Sequence, residues 1–163
     1  MIEDDGTPLL SDFGLSRIRH EVIRAQTLLP ATIGHAHVVA PELGKHLASN
    51  AQGPDGIPLW ALTTEASDVF SLAMMFWNLW KCKPPFPDFS SEAAIQKVCE
   101  GQRPERPDRN VGILADRMEL FWKLIQRMWA QEANERPAAA AVLVELEQIF
   151  GDLTVTLRQV PCP

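Results

Sequence analysis

Tyrosine is absent from the 163 residues, which removes tyrosine phosphorylation within this chain as a means of control. Basic runs are absent too. Lysine and arginine total 15 against 21 acidic residues, a net charge of -6 with no cluster of either cation. That balance argues against a general nucleic-acid or anionic-membrane surface, so neither is expected as a partner. Cysteine is sparse: Cys82, Cys99 and Cys162 have no metal-ligand spacing, and the odd number is read as free thiols in a reducing compartment. Long hydrophobic runs are missing as well. The most apolar stretch, Val69 to Trp80, contains Ser71 and Asn78 and is too short to span a bilayer. The opening Met1-Ile2-Glu3-Asp4-Asp5 is acidic where a signal or transit peptide would be basic and apolar, so a cytoplasmic location is expected.

What remains is a chain rich enough in apolar residues, at 46%, to bury a core as one domain. Asp5-Gly6-Thr7-Pro8 is a turn signal that feeds Leu9-Leu10-Ser11, giving a short β-hairpin whose other strand begins at Met1. From Leu15 to Val39 no period is sustained, and a long surface loop is expected. A short helix over Leu43 to Ala48 leads into a second connection that carries Gly53-Pro54-Asp55-Gly56 and Pro58. After it the chain turns helical. Ser67 and Asp68 suit the cap and first turn of a helix running to about Lys81, almost without a polar face and so expected to be wrapped on all sides. A second helix starts at Ser90-Ser91-Glu92 and ends near Gly101, with Ala94, Ile95 and Val98 on one side. Met118, Phe121, Leu124, Ile125 and Met128 recur at three and four, which predicts a third over Ala115 to Trp129. The last begins at Pro137, carries Val142, Leu143, Leu146, Ile149 and Phe150, and is expected to stop at Gly151. The expected fold is mainly α, with residues 151–163 a tail.

Several local features have ordinary readings. Pro84-Pro85-Phe86-Pro87 suits a helix stop followed by a buried Phe86 better than a polyproline ligand. Arg103-Pro104-Glu105-Arg106-Pro107 suits a rigid link between helices better than an anion site. His35 and His37 lack a third metal ligand at suitable spacing. Trp122 and Trp129 share one helical face and, like Trp77 and Trp80, are expected in the core.

Three motifs in fixed order carry more. Asp12-Phe13-Gly14, then Ala40-Pro41-Glu42, then Arg136-Pro137 resemble the back half of a protein kinase domain of the Ser/Thr, tyrosine-kinase-like group. Ser67-Asp68-Val69-Phe70-Ser71-Leu72 resembles the start of that family's central helix, and Lys83-Pro84-Pro85-Phe86 the turn that closes it. The resemblance covers residues 1–150, with an activation segment over 12–42 and a helical carboxyl-terminal lobe over 43–150. It implies that Asp12 ligates the magnesium that bridges ATP phosphates, with Gly14 giving backbone freedom beside it. It also implies that Glu42 and Arg136 form a buried ion pair, that Asp68 is a structural carboxylate holding the catalytic loop, and that Thr32 is the best placed phosphosite, ahead of Thr27 and Ser16. Departures from the family pattern fall at His35, where Thr is usual, at Val38, where an aromatic residue is usual, and at Ala73, where glycine is usual.

The same resemblance implies an ATP-dependent transfer of phosphate to protein hydroxyls by the full-length form. The amino-terminal lobe, phosphate-binding lysine and catalytic loop do not precede Asp12 here, so no catalytic residue is assigned and this chain alone is expected to be inactive and to bind ATP and magnesium poorly. Met1-Ile2 falls where the family has the strand after its catalytic loop, so Met1 is expected to be an internal methionine of a longer kinase. A non-catalytic kinase-like module that binds a protein partner is the alternative, and a remnant that does not fold alone is the third.

Overall fold

Five α-helices joined by two single-turn 3-10 helices make up the described part of the chain, residues 36–48, 62–107 and 114–157 of a computed structural model. They are α1 (Pro41–Ala48), α2 (Glu65–Lys81), α3 (Ser91–Cys99), α4 (Ala115–Met128) and α5 (Ala139–Leu157), with 3-10 turns at Ala36–Val38 and Ala133–Glu135. Among the described residues no strand occurs, as expected of a mainly helical fold. The expected hairpin and most of the loop from Leu15 to Val39 lie outside the described residues. All that is described belongs to one unit, Ile33–Pro163. None of its helices is long and apolar enough to cross a membrane.

The central helix α2 starts earlier than its sequence suggests. Thr64 is the cap: its Oγ1 accepts from the Ser67 amide at 3.2 Å, and the Thr64 amide donates to Ser67 Oγ at 2.9 Å. Ser67 is therefore the third helical residue, closing a reciprocal capping box, rather than the cap itself. The helix ends at Lys81 on Cys82, which takes a left-handed backbone with φ 56°. Phe70, Ala73 and Met74 are fully buried, but Met75 and Leu79 are 44% and 64% exposed. The helix is thus open along one stripe, not wrapped on all sides.

Around α2 the packing follows the apolar spacing. α4 lies against it through Phe121, Leu124, Ile125 and Met128, at the three-and-four recurrence that marks its inward face. Each such side chain, fully buried, contributes about 1.5–3 kcal/mol. Rings continue the contact: Phe121 meets Trp80 at 5.8 Å and Phe150 of α5 at 5.3 Å, and Trp122 stands edge-on to Trp129 at 5.4 Å. Ser90 caps α3 by accepting from the Ala93 amide, and α3 turns Ala94, Ile95 and Val98 inward against α1.

α5 departs from expectation in three ways. It begins at Ala139, it passes through Gly151 to Leu157, and it leaves Leu143 57% exposed while burying Val142 and Ile149. A helical glycine costs only about 1 kcal/mol against alanine, too little to end a helix held by Ile149 and Phe150. Pro85, not Phe86, is the fully buried residue of the turn after α2, and Phe86 packs on the core only in part with φ 53°.

Candidate functional site

Proline at the first position of α1 needs no amide donor and brings Glu42 into the helix's positive first turn. From there the carboxylate reaches Arg136, which follows the 3-10 turn Ala133–Glu135. Arg136 Nη1 donates to Glu42 Oε1 and Nη2 to Oε2, each at 2.8 Å. The remaining N–H groups of the guanidinium are also engaged: Nε donates to Ala130 O at 2.9 Å, Nη1 to Ala66 O at 2.9 Å and Nη2 to Gln131 O at 3.2 Å. One side chain thus ties α1, the first turn of α2 and the end of α4 together. The Arg136 side chain is wholly buried, and that of Glu42 is about one-third exposed.

Burial pushes the Glu42 carboxyl up, but the Arg136 hydrogen bonds, its own backbone amide and the fields of Arg136 and Lys45 overcome this and hold it below its ordinary value. With both oxygens engaged, Glu42 is a fixed anion and a joint rather than an acid or base.

Beside the pair lies a second guanidinium. Arg103 and Arg136 each place Cζ 5.0 Å from the centre of the fully buried Phe70 ring. Arg103 donates from Nε to Trp129 O at 2.9 Å, from Nη1 to Val98 O and Gln102 O, and from Nη2 to Gln131 Oε1 at 2.8 Å. Burial, aided by the nearby Arg136 charge, lowers its pKa to about 10, so it stays cationic at neutral pH. The stretch that carries it is packed against the core: Pro104 and Pro107 are buried, and Trp77 Nε1 donates to Glu105 O at 2.8 Å.

The other expected residues are placed as follows. Asp68 stands in the first turn of α2, exposed, with its pKa raised by burial and by Glu65, and no hydrogen bond joins it to Glu42 or Arg136. Asp12, Gly14 and Thr32 lie outside the described residues, as does His35. His37 Nδ1 donates to Pro85 O at 2.9 Å, since a carbonyl only accepts, and Ser71 Oγ donates to Val38 O at 2.9 Å. Sequence reasoning missed these two anchors, and nothing local in the chain announces them. Among the described residues no cluster of His, Cys, Asp and Glu is suited to hold a metal ion.

A profile of the protein tyrosine and serine/threonine kinase family matches residues 1–146. Among curated relatives, the dual specificity protein kinase shkA of Dictyostelium discoideum is 26% identical over 95% of this chain and 26% of its own length. The serine/threonine-protein kinase VIK of Arabidopsis thaliana is 28% identical over 86% of this chain and 28% of its own length. A shorter match, 31% identical over 51% of this chain, is to the receptor-interacting serine/threonine-protein kinase 2 of Bos taurus, of which it covers 16%. The chain therefore spans under a third of the length of these relatives.

Proposed function

The chain belongs to the protein tyrosine and serine/threonine kinase family, and from that premise we propose that it is the activation segment and helical lobe of a Ser/Thr-type kinase. In this reading the whole protein transfers the γ-phosphate of ATP to protein hydroxyls, and Asp12 is the carboxylate that would ligate magnesium. The observation that carries the reading is the family match over residues 1–146, and the bidentate Glu42–Arg136 joint supports it by linking two of the three motifs. Bound ATP and magnesium would supply the transferable group and neutralise its charge. The protein's part would be positioning, with Gly14 freeing the backbone beside Asp12, Thr32 a phosphosite in the segment, and Asp68 a structural carboxylate.

The phosphate-binding lysine and catalytic aspartate of the family are not among the 163 residues, so this reading assigns transfer to the whole protein and not to this chain by itself. The test begins with the native transcript upstream of Met1. An in-frame extension encoding both groups is expected, and the extended protein should phosphorylate a general protein substrate while Asp12→Asn abolishes transfer. Transfer by the 163 residues alone, or none by an extended chain that holds both groups, overturns the reading.

The stripe of Met75 and Leu79 on α2 favours a second reading, a non-catalytic module that docks a protein partner there. Specific protein binding by the soluble chain without ATP, lost on Leu79→Glu, would support it over catalysis.

A further inference from the structure

A cleft of about 400 Å³ opens between the link that follows α3 and the carboxyl-terminal half of α4, walled by Arg103, Pro104, Arg106, Trp122, Trp129 and Gln131. Its volume lies in the range of small-ligand sites, roughly 300–1,000 Å³. Two features set its chemistry. The first is cationic: Arg103 commits four of its N–H groups to three carbonyls and Gln131, keeps one on Nη2, and makes no ion pair among the described residues. The carboxylate whose field reaches it, Glu42, already has both oxygens on Arg136. Arg106 adds a second cation at the rim, where its pairing with Glu119 is about half exposed on both sides. Such a surface pair is weak and is readily exchanged for another carboxylate. The second feature is flat and apolar: Trp122 and Trp129 stand at 89° to one another, forming a corner beside Pro104 in which Trp122 is half-buried and Trp129 only 5% exposed.

We propose that this cleft binds a small monocarboxylate carrying a flat apolar group, with the carboxylate against Arg103 and Arg106 and the flat group in the corner of Trp122 and Trp129. A doubly charged phosphate would meet Glu105 and Glu119 beside the same cations, whereas a single carboxylate matches the Arg103 guanidinium, which has no anion of its own among the described residues. The site is independent of the phosphoryl-transfer reading, since none of its residues belongs to the three motifs.

Naphthoate is a probe of the right charge and shape, and the uncharged naphthalenemethanol is its control. Titrated into the full chain and followed by the indole signals in a proton–nitrogen correlation spectrum, naphthoate should shift Trp122 and Trp129 saturably. It should bind about tenfold tighter than the alcohol, the scale of one charge-assisted contact. Arg106→Gln, a rim change expected to leave the unfolding midpoint in place, should weaken naphthoate several-fold and leave the alcohol unaffected. Equal affinity for acid and alcohol, shifts confined to Trp77 or Trp80, or no saturation would each overturn the proposal.

Discussion

Arg136 and Glu42 stand 94 residues apart in the chain and meet through two parallel hydrogen bonds of 2.8 Å. The pair is asymmetric. The arginine is buried and takes part in five hydrogen bonds, while the carboxylate keeps a third of its surface in water. Loss of the arginine is therefore the graver change, because three carbonyls lose a donor together with the anion.

Arg136→Ala should lower unfolding free energy by about 3–5 kcal/mol, the range for breaking a buried pair from one side. Arg136→Lys keeps the charge but loses the planar fork, and should fall between the variant and the parent. Urea unfolding of the three proteins gives the order directly, and a lysine variant as stable as the parent would show that the fork geometry contributes nothing.

Acid should act on this fold in two opposed stages. Asp68 has a folded pKa raised above 3.8, by burial first and then by Glu65, so its charged form works against the fold at neutral pH. That cost is relieved as pH falls through the raised value. Glu42 has a folded pKa below 4.5, so its contribution is complete above 4.5 and is lost as pH falls through the lower folded value. Stability should thus rise slightly on acidification and then drop. Unfolding midpoints measured across this range should lose the rise in Asp68→Asn and lose the drop in Glu42→Gln.

How much of this was legible in sequence depends on the range of the forces involved. α3 and α4 were readable because a serine cap and three-and-four spacing are local signals. The start of α2 was displaced because Ser67 is a good cap residue by type, and only its hydrogen bonds with Thr64 reveal that it acts from the third helical position. Leu143 looked like core by hydrophobicity, yet Val142 and Ile149, seven apart, set the inward line of α5 and put Leu143 about 100° away from Val142. The Glu42–Arg136 contact has no local signal at all; motif order alone suggested it. Arg103 was hidden in a run of prolines and charges whose composition says nothing of Phe70 or Trp129.

Gly44 lies where α1 packs tightly on α3. A Cβ there would lie 2.8 Å from Cys99 Sγ and 2.9 Å from Ile95 Cγ2. Alanine gains about 1 kcal/mol of helix propensity over glycine, but overpacking costs about 1–3 kcal/mol, so Gly44→Ala should be net destabilising by up to about 2 kcal/mol. Cys99→Ala removes one of the two clashing atoms, and the Gly44→Ala cost measured in that background should shrink by at least about 0.5 kcal/mol. Equal costs in both backgrounds would mean that the helices separate instead of clashing.

Cys82 ends α2 with φ 56° and ψ 33°, a left-handed conformation that costs an ordinary L residue about 1–2 kcal/mol. Its thiol is exposed, and its hydrogen bond is a long one, 3.6 Å from Sγ to Leu79 O, so little is lost with the side chain. Glycine adopts this backbone freely but has more conformational freedom to lose on folding, roughly 0.5–1 kcal/mol against alanine. The difference favours the substitution. Cys82→Gly should stabilise the chain by about 0.5–1 kcal/mol, and Cys82→Ala, which keeps the Cβ, should not. Thermal unfolding of both variants separates backbone relief from loss of the thiol: a gain shared by the alanine variant would assign the effect to the sulfur and overturn the explanation from backbone strain.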